Sequence, residues 1–179
     1  MKTGKLFCFG LIFSFLATAC SFSSSLPYEE RIALMKNEQY QKPEDISYFD
    51  LDYADYTNSV ILSEAKQKIE NQEDLVLFFY SDGCEHCHQL KPQFIKYICE
   101  TKYIFTSINC SNPQNNATVY SQLFAQVYPD IFPETRLTPS FYFIKNGVPV
   151  ASQIGLSTKQ MKNYSYFCDF MDGYVKPAQ

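Results

Sequence analysis

Residues 74–88 read DLVLFFYSDGCEHCH. From Asp74 to Tyr80 the chain is a nearly continuous apolar run, the pattern of a strand covered on both faces. After it come Ser81-Asp82-Gly83, then Cys84-Glu85-His86-Cys87, then His88, where a helical pattern begins that runs from Cys87 to about Lys102. Two cysteines three apart at a helix start are a redox arrangement for a physical reason. The first turn leaves backbone N–H groups unpaired and gathers positive partial charge. That favours a thiolate at Cys84, which becomes the nucleophile. Cys87, one turn on, is placed to attack a mixed disulfide at Cys84 and release the product.

Working outward, Ser59 to Asn71 has helical spacing through Ile61, Ala65 and Ile69, and Tyr103 to Asn109 reads as a second buried strand. Asn112-Pro113 opens a polar loop toward a helix near Thr118 to Tyr128. Phe141 to Ile144 and Val148 to Ile154 flank Asn146-Gly147, whose residue types suit the positive φ of a hairpin turn. Ser157 is placed to cap a final helix ending near Met171. Residues 45–56 (DISYFDLDYADY) alternate aromatic and acidic side chains, which predicts an edge strand with a solvated acidic face.

Four features in register resemble the thioredoxin superfamily, from about residue 59 to 171. They are the buried strand leading into Cys84-x-x-Cys87, Pro92 five residues beyond Cys87, Thr138-Pro139 before the strand at Ser140 to Ile144, and Lys145-Asn146-Gly147 with Gly155 beyond. The resemblance implies a three-layer α/β/α fold with a central mixed sheet and a C-terminal hairpin and helix. It implies thiol–disulfide oxidoreductase activity through Cys84 and Cys87, a cis Thr138-Pro139 bond, and a substrate strand received by main-chain groups of Thr138 and Pro139. No cofactor beyond the Cys84–Cys87 disulfide is implied. Departures are equally visible. Asp82-Gly83 stand where the family has an aromatic residue before the first Cys. Phe78 stands where cytoplasmic members carry a buried Asp that takes the second cysteine's proton. The 110–138 stretch is longer than in a minimal member by about a dozen residues, which predicts a lid or docking addition.

His86 and Glu85 are read as opposing influences on Cys84. An imidazole donating to the sulfur favours the thiolate, and a carboxylate beside it disfavours it, so oxidase, isomerase and reductase directions all stay open. Two rival readings remain. One is a non-catalytic thioredoxin-fold binding lipoprotein that presents the 110–138 insertion or the 45–56 segment to a partner. The other is a c-type haem protein, because residues 84–88 also fit C-x-x-C-H, with His88 axial and Met161 or Met171 as sixth ligand. No metal site is expected, since Cys84, His86, Cys87 and His88 lie too close along the chain to wrap a tetrahedral ion. No pairing is assigned to Cys99, Cys110 and Cys168, and the sequon Asn116-Ala117-Thr118 is read as chance.

Composition bounds the rest. The chain has 179 residues, 46% apolar and 19% charged, enough for one domain with a tail. A net charge of −4 leaves no basic excess to hold phosphates, so nucleic acid is excluded as a partner. Residues 1–19 read as a secretory signal, with Lys2 and Lys5 ahead of the apolar run Leu6 to Leu16. Ala17-Thr18-Ala19-Cys20 resembles a bacterial lipobox, so Cys20 is expected to carry a lipid, with residues 20–44 as a tether and 45–179 as the domain. The expected setting is the cell envelope, periplasm or outer membrane face, where disulfide chemistry operates. The expected partners are thiols or disulfides of exported proteins and a membrane or envelope redox protein.

Overall fold

Residues 51–175 are described by a computed structural model of the chain. The signal segment, Cys20, the tether and residues 45–50 lie outside the described residues. In chain order the elements are α1 Tyr53–Tyr56, β1 Asn58–Ser59, α2 Leu62–Glu70, β2 Leu75–Tyr80, α3 Glu85–Thr101, β3 Thr106–Asn109, a 3₁₀ turn Pro113–Asn115, α4 Ala117–Tyr120 continuing into a π turn Ser121–Ala125, β4 Ser140–Lys145, β5 Val148–Ile154, α5 Thr158–Lys162 and α6 Tyr164–Val175. No helix among the described residues is long and apolar enough to cross a membrane.

β2 lies at the centre of a mixed five-stranded sheet ordered β1-β3-β2-β4-β5. It pairs parallel with β3 and antiparallel with β4, and β4 pairs antiparallel with β5. That position explains why all six of its residues are buried. Val76, Phe78 and Tyr80 face one layer, made with α1, α3 and α6. Leu75, Leu77 and Phe79 face the other, made with α2 and the α4 region. The strand period of two thus serves two cores at once. The three-layer α/β/α architecture with a mixed sheet and a terminal hairpin is the expected one.

Aromatic rings fill both layers. Phe78 stacks on Phe141 at 4.9 Å and meets Phe94 edge-on at 4.6 Å. Across the sheet, Phe132 stacks on Tyr142 at 4.1 Å. Burying one such side chain stabilises the fold by about 1.5–3 kcal/mol, and well-set ring pairs add about 0.5–1.5 kcal/mol. The buried hydrophobic residues are accordingly rich in Tyr and Phe.

Two expectations are corrected. Residues 51–56 do not form a strand. Asp52 caps Ala54 N at 3.1 Å and starts α1, burying Tyr53 and Tyr56. Rings at i and i+3 gain more by packing inward than alternation gains at an edge, and Tyr53 sits against Phe78, Tyr80 and Phe94. The first strand is the short β1, which pairs with β3. The single terminal helix is instead two helices. Ser157 caps α5 as expected, but Asn163 turns extended, at φ −128° and ψ 117°. Its side chain accepts from Ser165 N at 3.0 Å, starting α6.

The β4–β5 turn has Asn146 at φ 49° and Gly147 at φ 71°, and Asp74 Oδ1 accepts from Asn146 N at 2.6 Å. A Cβ at Gly147 would lie 2.2 Å from Ile69 O, a backbone atom that cannot swing away. Left-handed backbone costs an L-residue about 1–2 kcal/mol before any clash. Gly147→Ala should therefore lower the unfolding free energy by about 2 kcal/mol or more, read as a lower urea midpoint with an unchanged slope.

Candidate active site

β2 ends at Tyr80, and α3 begins at Glu85 with Cys84 as its N-cap. Cys84 has extended backbone, φ −86° and ψ 109°, and its Sγ accepts from Cys87 N at 3.2 Å. The same thiol donates to Thr138 O at 3.4 Å. The sulfur thus lies between an unpaired helix-start N–H and the loop that precedes β4. Cys84 is half-buried, whereas Cys87 is 2% exposed. Burial first, and the bonded Cys84 after it, hold the Cys87 thiol well above the ordinary thiol range. One cysteine is presented and the other kept in reserve.

Glu85 and His86 are exposed on the first turn of α3. Glu85 Oε1 accepts from Gln89 Nε2 at 3.0 Å. Among the described residues, the hydrogen bonds of Cys84 Sγ are those to Thr138 O and Cys87 N. His88 is exposed too, and its Nε2–H donates to Asp82 O at 2.9 Å. Met161 and Met171 are buried in the core. No group of three or more His, Cys, Asp or Glu among the described residues is arranged to hold a metal ion.

The Thr138-Pro139 bond is cis. Pro139 O accepts from Gly155 N at 2.9 Å, with Gly155 at φ 69°, which ties the loop to the end of β5. Pro92 lies inside α3. Phe78 is fully buried among rings, so hydrocarbon fills the place of the missing carboxylate. The Asp82 loop is pinned from the neighbouring strand. Asn109 Nδ2 donates to Asp82 Oδ1 and Oδ2 at 2.9 and 3.2 Å, and Ser111 Oγ accepts from Asp82 N at 3.0 Å.

Tyr53 was not singled out by the sequence. Its hydroxyl donates to Cys87 O at 2.6 Å, and burial, followed by the nearby Cys87 and Cys84, keeps it a neutral donor. Beside it opens a cleft of ≈ 230 Å³, lined by Asp52, Tyr53, Asp82, Cys87, His88 and Lys91 among others. The local signal was Asp52, a capping residue type directly before Tyr53. All five described cysteines carry thiols. Cys110 follows β3, and burial pushes its thiol up to about 11 against the opposing pull of Arg136.

Raised thiols make alkaline stability a test. Below the ordinary thiol value both states hold the proton. Above it the unfolded chain releases the proton first, so stability falls as pH rises toward the folded value. For Cys110 that interval is from 9.0 to about 11. Urea midpoints of the reduced protein should fall across it, and Cys110→Ala should flatten the slope.

A family model described as "Thioredoxin-like domain" matches residues 62–164. No curated protein matches the chain. Among solved structures, Chlamydomonas reinhardtii thioredoxin f2 is 21% identical over 68% of this chain and 99% of its own, with a TM-score of 0.48. Thioredoxin from Trypanosoma brucei brucei is 15% identical over 68% and 92%, at 0.47. The long form of spinach chloroplast thioredoxin f is 16% identical over 83% and 95%, at 0.46. With the family model spanning more than half of the chain, including Cys84, Cys87 and Thr138-Pro139, the chain belongs to the thioredoxin-like family.

Proposed function

We propose that the chain is a thiol–disulfide oxidoreductase for exported proteins. The observation that carries this reading is the asymmetry of the cysteine pair: Cys84 Sγ at the helix start against Thr138 O, and Cys87 buried one turn behind it. In the reducing direction, the Cys84 thiolate attacks one sulfur of a client disulfide. A Cys84–client S–S bond forms, the client's own S–S bond breaks, and its other sulfur leaves as a thiolate that takes up a proton. Cys87 then gives up its proton and attacks Cys84 Sγ. The Cys84–Cys87 disulfide forms and the second client thiolate departs. Two electrons pass to the client, and a dithiol redox partner restores them. The oxidising direction is the same sequence reversed, and the reduction potential of the pair relative to its partner sets which one runs.

The proposed setting is the cell envelope, on a lipid tether, a reading supported by the leader-like residues 1–19 and by Cys20. Partition into detergent with acyl mass on Cys20 checks the anchor, and a mature chain starting at an unmodified Cys20 would make it a plain exported protein.

The soluble domain should reduce insulin disulfides with dithiothreitol as electron source, and Cys84→Ser should return the rate to background. Cys87→Ser should instead accumulate mixed disulfides between Cys84 and clients, seen by mass spectrometry. Insulin turnover by Cys84→Ser equal to that of the unaltered domain would overturn the reading.

A further inference from the structure

Thr138 reaches Cys84 on a loop that lacks a ladder of its own. Residues 133–138 precede β4 and form no helix or strand. Among the described residues, the hydrogen bonds that reach this segment come from side chains. Tyr120 OH donates to Pro133 O at 2.9 Å, and Ser140 Oγ donates to Leu137 O at 2.6 Å. Arg136 donates through Nη1 to Asn115 O and through Nη2 to Cys110 O, the latter at 3.3 Å. Its guanidinium also lies over the Tyr120 ring, 5.9 Å from the centroid.

The groups that Arg136 grips are themselves fixed. Asn115 is buried, accepting from Leu62 N and donating to Asn109 O, both at 2.9 Å. Asn109 in turn holds the Asp82 carboxylate. One connected set of bonds therefore runs from the Thr138 loop through the 110–120 segment to the loop directly before Cys84. A planar guanidinium carries donors on separate nitrogens at a fixed spacing, so Arg136 spans the two carbonyls in one pre-set geometry. Arg136 spends its charge inside the protein and leaves its neighbour Leu137, 51% exposed, at the rim.

We propose that Arg136 is a positioning residue, clasping the 110–120 segment to the Thr138 loop so that a polypeptide disulfide is preferred over a small one. This rests on the oxidoreductase reading. A small aryl disulfide needs only access to Cys84 Sγ. An extended polypeptide must also lie against main-chain groups of Leu137 and Thr138, so it is sensitive to their placement. The segment is then a brace for substrate docking.

The test compares insulin with a small aryl disulfide (dithiobis-nitrobenzoate) as oxidants of the reduced domain, in the unaltered protein, Arg136→Gln and Tyr120→Phe. The readout is kcat/KM for insulin divided by the second-order rate constant for the aryl disulfide. In Arg136→Gln this ratio should fall on the order of tenfold, carried by KM rather than kcat. Tyr120→Phe, which keeps the guanidinium and frees Pro133 O, should shift it the same way by about threefold, and it serves if Arg136→Gln does not fold. A ratio unchanged in the variants that fold overturns the proposal, whether both oxidants slow together or neither does. Backbone amide order parameters from nitrogen-15 relaxation read the clasp without turnover. Those at residues 134–138 should fall in the variants, and unchanged order parameters overturn the clasp. Lowered order parameters in the variants of a protein whose unaltered form fails to reduce insulin would overturn the oxidoreductase reading and leave the clasp standing.

Discussion

The hydrogen bond from Cys87 N to Cys84 Sγ, at 3.2 Å, is the contact on which the site depends. It exists because β2 runs straight into α3 with a four-residue connection, leaving Cys84 as the last extended residue before the helix. At most helix starts a hydroxyl or carboxylate accepts the orphan N–H. Here a sulfur does, so the group that caps the helix is also the proposed nucleophile. A thiolate at that position keeps its N–H partner and gains from the helix dipole. The rest of the fold holds this junction still: β3 pins the Asp82 loop from one side, and the Thr138 loop approaches the sulfur from the other.

Aromatic packing fills the space behind the cysteine pair. Phe78 occupies the carboxylate's place and knits Tyr53, Phe94 and Phe141 into one cluster. Tyr53 then reaches the backbone of Cys87 from a segment that precedes the sheet. The environment behind Cys87 is therefore more apolar than one with a buried carboxylate, and desolvation is the largest influence on its thiol. Stability of the core and reserve of the second cysteine have the same physical origin.

Sequence carried the parts of the site whose causes are local. The cysteine pair, the Asn146-Gly147 turn and the Ser157 cap are set by neighbouring residues, and each was visible as a short pattern, whereas the cis Thr138-Pro139 bond came only from the family resemblance. Strand β2 was legible because burial on both faces leaves no polar position. Tyr53 and Arg136 were not, because what they do depends on partners 34 and between 21 and 26 residues away. At residues 51–56 the alternation misled, because period two in side-chain type does not require period two in backbone. Asn163 carried a capping signal inside an otherwise helical pattern, and the pattern outweighed it.

The two cysteines are coupled in a way that would order the proposed exchange. Apart from burial, what raises the Cys87 thiol is its neighbour Cys84, through a hydrogen bond and through charge. In the proposed cycle both influences belong to the reduced state. Once Cys84 is joined to a client in the proposed mixed disulfide, its sulfur is neutral and puts no charge beside Cys87. The electrostatic penalty on a Cys87 thiolate falls at the moment when that thiolate is required. Before that event Cys87 is held protonated and buried, so it does not compete for the client. Desolvation persists through both steps, and it keeps the second thiolate a short-lived species formed against the sulfur it is to attack. The proposed order of attack, Cys84 first and Cys87 second, thus rests on the packing around Cys87.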